Sequence, residues 1–274
     1  MPAFICTTCG TQHAPSDEPP AGCATCQDVR QYVNLLGQSW TTMEAIRRTH
    51  MNAWRRYERR LLGIGTTPAF AIGQRALLLR LPSGNVLWDC ITLLDDATAE
   101  LVDALGGIAT IAISHPHYYS AMVDWAHAFS AEVLLHDADR MHVMRPDPAI
   151  RFWSGDSRTI APGVTLLRLG GHFAGATVLH WAAGAEGAGA LLSGDIVQVG
   201  PDRQVSFMRS YPNLIPLDAG SVRHIAEVLA PYPFEPIYGA WWDRIVPSRG
   251  KEVLENSVRR YLAAINTPPD AVTA

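Results

Sequence analysis

Apolar and polar positions along the chain change their rhythm near residue 66. Before that point Met43, Ile46, His50, Trp54, Tyr57 and Leu61 recur at spacings of three and four. This periodicity predicts one amphipathic helix over 41–62, with Thr41 or Thr42 as its N-cap and Gly63 and Gly65 as its stop. Arg47, Arg48, Arg55, Arg56, Arg59 and Arg60 fall mostly off the apolar stripe and make a cationic face. After residue 66 short β-runs alternate with helices. Strands are predicted at 70–81 and 85–90, around a Pro82-Ser83-Gly84 turn, and a helix over 95–105, closed by Gly106-Gly107. The unbroken apolar run 108–114 reads as a buried central strand, followed by a helix at 121–129 and a strand at 132–136. Further strands are expected at 164–171, 177–182, 189–195 and 236–240, and helices at 221–229 and 251–265. Mixed strands and helices in both halves imply an α/β layered domain over 66–265. A linker holding the amphipathic helix spans 31–65, and a frayed tail 266–274.

The segment 1–30 is different. Two Cys-x-x-Cys pairs, Cys6/Cys9 and Cys23/Cys26, flank a loop rich in Pro, Gly and acidic residues. Such a segment buries too little apolar area to fold alone, so a metal staple is the expected source of its order. Four thiolates complete a tetrahedron and leave no open position, which predicts a structural zinc ribbon. His13 lies in the loop as an alternative ligand. Ribbons of this kind often bind nucleic acid, but Asp17, Glu18 and Asp28 accompany a single nearby Arg30. A clip or a protein–protein contact is the better expectation.

Composition narrows the classes. The chain has 274 residues, 48% of them hydrophobic, and a formal net charge of −4, which disfavours a general nucleic-acid binder. Mean hydropathy is +0.04, and no run is long and apolar enough for a membrane span. Thiols kept for metal, and a start without the pattern of a signal peptide, make the cytoplasm the expected compartment. Cys90 stands alone in an apolar stretch and reads as a small buried hydrophobe.

The chemistry-bearing residues of the main domain sit at predicted strand ends. The run IAISHPHYYS ends a buried strand and at once presents His115 and His117. LGGHFAGAT places His172 in a glycine-rich turn, and LLSGDIV places Asp195 after another apolar strand. Three histidines and a carboxylate make a credible ligand set for zinc or another first-row divalent metal. His127, His136 and His180 are expected to be packed or surface residues.

These three motifs resemble the metal motifs of the metallo-β-lactamase fold superfamily, the group that includes glyoxalase II. The resemblance covers about residues 66–265. It implies an αββα sandwich with the metals in a cleft at the sheet edges. The superfamily's His-x-His-x-Asp-His run keeps only its first two positions here, as His115 and His117; Tyr119 stands where the Asp would be and Ser120 where the last His would be. Ala240 replaces the late His. All three lost positions would build the second metal site. What remains implies a mononuclear site of His115, His117, His172 and Asp195, with Asp195 either a ligand or the general base. Tyr119 is either a hydrogen-bond donor to an oxyanion or space-filling. Trp241, Trp242, Arg209 and Tyr211 are expected to bind substrate, and Arg244 is a further candidate for an anionic group.

The resulting expectation is a hydrolase of a small ester, thioester or lactone-like molecule, using a metal-activated water and one zinc or iron in the main domain. A mononuclear Fe(II) oxygenase of the same fold and a non-enzymatic binding module are the competing readings. Expected partners are a small-molecule substrate and a second copy of the chain through the 41–62 helix; neither membrane nor nucleic acid is expected.

Overall fold

The computed structural model describes residues 1–266; the expected tail lies, apart from Asn266, outside the described residues. Two compact units divide the chain, Met1–Gly155 and Asp156–Ala274.

The first unit opens with β1 (Ile5–Cys6) and α1 (Ala24–Gln27), and β1 pairs with β2 (Trp40–Thr41). The predicted 41–62 helix does not form. In its place are the short α2 (Met43–Arg47), capped by Thr42 Oγ1, then β3 (Met51–Glu58) and β4 (Leu61–Thr67). These two strands form an antiparallel hairpin in which Arg55 faces Gly63 and Ala53 faces Gly65. The glycines expected to stop a helix are thus strand residues. Aromatic Trp54 and Tyr57 favour extended backbone, and Tyr57 covers the guanidinium of the buried Arg75 at 4.6 Å from ring centroid to Cζ. Non-local pairing has overridden a helical spacing, and the sheet starts at Met51 rather than beyond residue 66.

That sheet has seven strands in the order β3-β4-β5-β6-β7-β8-β9, where β5 is Arg75–Leu79, β6 Val86–Trp88, β7 Thr110–Ala112, β8 Glu132–His136 and β9 Ile150–Trp153. β3 to β6 are antiparallel neighbours, whereas β6 to β9 run parallel. Parallel neighbours require crossovers; α3 (Asp96–Ala104), capped by Asp95, and α4 (Met122–Phe129) supply two of them. α4 buries Met122, Val123, Trp125 and Ala126, and ends at Ser130 in the left-handed region. The predicted 70–81 strand is shortened at its start, because Phe70–Gly73 forms a turn.

The second unit holds a six-stranded sheet, β10-β11-β12-β13-β18-β19. Its strands are β10 (Ser157–Ala161), β11 (Val164–Arg168), β12 (Thr177–Trp181), β13 (Ala190–Gly194), β18 (Ile237–Gly239) and β19 (Ile245–Val246). Between β13 and β18 lie two small hairpins, β14 (Gln198–Val199) with β15 (Val205–Ser206), and β16 (Met208–Ser210) with β17 (Ile215–Pro216). α5 (Ala219–Leu229) and α6 (Gly250–Ile265) close the core: Val222, Ile225 and Leu229 of α5 and Leu254 and Val258 of α6 are buried with Leu167, Val178, Leu191 and Phe207. At roughly 1.5–3 kcal/mol for each fully buried aliphatic or aromatic side chain, this cluster anchors the turns that leave the strand ends.

Candidate metal centre

β7 ends at Ala112, and Ile113-Ser114 carry the chain to His115. The Ser114 amide donates to Asp89 Oδ1 at 2.8 Å, and Asp89 is itself buried, with φ +61°. Ser114 Oγ lies 2.9 Å from His115 Nδ1. Pro116–Tyr118 form one 3₁₀ turn, which sets the His115 and His117 rings 5.1 Å apart at 73°. Both histidines are buried.

In the second unit His172 follows Gly170 and Gly171, at φ +66° and +77°. A Cβ on Gly171 would lie 2.8 Å from Leu217 Cδ1, so this turn needs glycine on both conformational and packing grounds. His172 Nδ1 is 3.1 Å from the Met208 carbonyl. A nitrogen facing a carbonyl must donate, and that tautomer carries its lone pair on Nε2, the usual arrangement of a metal-ligating histidine. Asp195 follows β13. Burial pushes its carboxyl up to about 7, a cost to the charged form that a cation beside it would offset. Tyr211 Oη donates to the Asp195 carbonyl at 2.6 Å, and its ring centroid is 5.8 Å from that of His172. The Tyr211 hydroxyl, expected to meet substrate, thus braces the Asp195 turn.

The main domain therefore carries a buried donor group of His115, His117, His172 and Asp195. Imidazoles and a carboxylate suit a borderline divalent cation, and all four are withdrawn from water, as metal ligands are.

The three positions that depart from the superfamily pattern offer poor ligands. Tyr119 is buried, and its hydroxyl is raised well above the usual phenol range by burial and by Asp139, so it stays a neutral donor. Ser120 has φ +37°, and its carbonyl accepts from the Gln12 amide. Ala240 follows Gly239, which is in register with Gly194, so its methyl stands beside the Asp195 turn.

Trp241, Trp242 and Arg244, with Gln198, Pro201 and Asp243, line a cleft of about 640 Å³. Arg209 is exposed on β16 and does not line that cleft. The histidines set aside as non-ligands have structural bonds: His180 Nε2 with the Pro233 carbonyl at 2.7 Å, His136 Nε2 with that of Gly155 at 3.0 Å, and His127 with Asp147 at 2.9 Å. Cys90 is buried, as expected.

The second donor group is Cys6, Cys9, Cys23 and Cys26, all buried and all free thiols. Cys6 Sγ–Cys26 Sγ and Cys9 Sγ–Cys23 Sγ are both 3.6 Å. A tetrahedron with metal–sulfur bonds of about 2.3 Å has edges of roughly 3.8 Å, so the spacing fits one ion. Cys23 is held well below the usual thiol range by hydrogen bonds from Cys26, Cys6 and Cys9, and lastly from His13. His13 thus supports a thiolate rather than replacing one. Gln38 Nε2 donates to Cys6 Sγ at 3.2 Å. Neither Gln38 nor Asp89 was visible as a site residue in the sequence. A glutamine beside a cysteine knuckle and an aspartate after a strand are common, and only the fold gives them partners.

No protein-family model matches the chain. YmaE of Bacillus subtilis (strain 168), described as an uncharacterised protein, is 48% identical over 270 residues, covering 97% of this chain and 98% of its own length. Among solved structures, VMB-1 superposes with a TM-score of 0.59 at 11% identity, over 78% of this chain and 98% of its own. FIM-1 from Pseudomonas aeruginosa, a metallo-β-lactamase in its mono-zinc form, gives 0.56 at 13% identity over 79% and 97%. A metallo-β-lactamase from Hirschia baltica gives 0.54 at 17% over 76% and 96%. The fold is that of the metallo-β-lactamases, as the sequence motifs implied. No helix among the described residues is long and apolar enough to cross a membrane.

Proposed function

The chain belongs to one family with YmaE of Bacillus subtilis and has the metallo-β-lactamase fold, and from that premise we propose that it is a mononuclear metal-dependent hydrolase of a small ester, thioester or lactone-like substrate. The observation that carries this reading is the buried donor group His115, His117, His172 and Asp195, in a chain whose second-site positions are Tyr119, Ser120 and Ala240. Three imidazoles would hold the ion, and a phenol, a hydroxyl and a methyl offer a second ion little. A structural relative, FIM-1, is itself described in a mono-zinc form.

When bound, the cation supplies Lewis acidity, lowering the pKa of a water and polarising a carbonyl. The protein's own groups do the rest. Asp195, buried at the end of β13 among the donor residues, accepts the proton of the attacking water. Tyr119, kept protonated, donates to the oxyanion in place of a second electrophile. Trp241 and Trp242 flank the apolar part of the substrate, and Arg244 holds a carboxylate on it. The four cysteines would hold a zinc ion: thiolates suit it, and four of them leave no open position, so its role would be structural.

The test is a hydrolysis panel of chromogenic thioesters, esters and lactones with zinc-loaded protein. Activity on at least one class that is lost in His115→Ala and His172→Ala, with the fold retained, supports the reading. Equal activity in those variants, or stoichiometric iron with oxygen consumption, overturns it.

A further inference from the structure

Gln12 joins the cysteine knuckle to the loop that carries His115 and His117. The knuckle is a tight turn in which the Gly10 amide donates to the Cys6 carbonyl at 2.9 Å and the Cys6 amide to that of Thr11 at 3.0 Å. Thr92 Oγ1 donates to the Gly10 carbonyl at 2.9 Å, and a Cβ on Gly10 would stand 2.5 Å from that same oxygen, so the turn sits hard against its neighbour. Two residues on, the Gln12 amide donates to the Ser120 carbonyl at 3.0 Å. Gln12 is 4% exposed. Its side chain continues the link: Nε2 donates to Asp124 Oδ2 at 2.7 Å, Oε1 accepts from Arg145 Nη1, and Arg145 also binds Asp124 Oδ1 at 2.6 Å. Asp124 is in the first turn of α4.

The segment held in this way is the metal loop. Successive amides connect it: Tyr118 to the His115 carbonyl, Tyr119 to Pro116 and Met122 to Tyr119. A shift at Ser120, whose φ of +37° few non-glycine residues adopt, is therefore passed to His117 and His115. The knuckle's own core consists of the four cysteines, with Trp40 and Ile72 against them, so its shape depends on the ion they hold.

We propose that the knuckle positions the metal loop. Metal on the cysteines fixes Gln12, and Gln12, with Asp124 and Arg145, fixes the 115–120 turn, so the affinity of the histidine group for its ion depends on the knuckle. Gln12 and Arg145 are positioning residues and touch no reacting atom. This rests on the reading above that His115 and His117 are ligands.

The experiment is a competition titration of zinc on the histidine group against a chelating dye, using full-length protein with the knuckle metal retained. Wild type is compared with Gln12→Ala, Arg145→Ala and a control, Asn85→Ala, with a thermal melt on each. Asn85 ties Leu81 to Leu105 and Gly107 in the same unit, away from Ser120. Loss of a partner behind a metal ligand typically weakens binding by roughly 10–100-fold. Gln12→Ala and Arg145→Ala should bind about tenfold or more weakly, while Asn85→Ala lowers the melting temperature and leaves the affinity unchanged. Wild-type affinity in Gln12→Ala and Arg145→Ala overturns the proposal; if Gln12→Ala does not fold, Arg145→Ala decides. Failure of the underlying reading looks different: wild type and His115→Ala then take up the same amount of metal.

Discussion

Replacing Gly171 by alanine tests whether the turn before His172 is built as tightly as it looks. Two costs follow from the structure. At φ +77° an L side chain meets the left-handed penalty, about 1–2 kcal/mol. The new methyl also stands 2.8 Å from Leu217 Cδ1, and Leu217 is buried against Ile225 of α5. A leucine tip can turn, so this part belongs at the lower end of the roughly 1–3 kcal/mol of an overpacked core. The sum is about 2–4 kcal/mol, with His172 displaced as well. Gly187→Ala is the matched control: its φ is +98°, but nothing lies within 4 Å of its added carbon, so it carries the strain alone. Urea denaturation of both variants, with chelator present to remove metal linkage, gives the difference. Gly171→Ala should be less stable than Gly187→Ala by about 1 kcal/mol or more, and should bind metal more weakly at the histidine group. If the two variants denature together, the close approach to Leu217 is not a constraint and the argument for this turn fails.

Four further outcomes are expected. Cys9→Ser should lose the ribbon metal by elemental analysis, and proteolysis should then cut first within residues 1–42. Tyr119→Phe should lower kcat by about tenfold or more at unchanged metal content; equal kcat would assign Tyr119 to packing. Trp242→Ala should raise KM more than it lowers kcat, seen in steady-state kinetics on the best substrate of the panel. Asp28 is held down at about 2, chiefly by the Arg30 guanidinium. A carboxyl lowered in the folded state adds stability above its unfolded pKa of about 3.9, and loses it as pH falls toward 2. Arg30→Ala should bring the Asp28 titration, followed by NMR, back toward that ordinary value.

The donor residues were readable in the sequence because strand ends deliver them within short motifs: SHPH, GGH and SGD each combine a ligand type with the turn that exposes it. The Cys-x-x-Cys pairs were readable for the same reason. The region 41–62 is ambiguous in sequence because two periods coincide there. Met43, Ile46, His50, Trp54 and Tyr57 fit a helix, yet Trp54 and Tyr57, with Gly63 and Gly65 opposite Arg55 and Ala53, fit a hairpin, and only pairing with β4 decides between these. With that helix goes its apolar stripe; Arg55, Arg56, Arg59 and Arg60 lie on the strand and turn of an edge hairpin. The ties that position the metal loop were not legible either. Gln12 reaches Asp124 and Arg145 across more than a hundred residues of sequence, and nothing local marks such a partnership.

Elemental analysis of three proteins counts the ions at each site: wild type, the Cys6→Ser/Cys9→Ser variant and the His115→Ala/His172→Ala variant, each purified without added metal and checked for folding. Wild type should carry one ion on the cysteines and one on the histidine group, with each double variant losing the ion of its own site. A third ion in wild type, removed by the histidine substitutions, would contradict the mononuclear site. An unchanged metal content in His115→Ala/His172→Ala would contradict a metal centre there altogether.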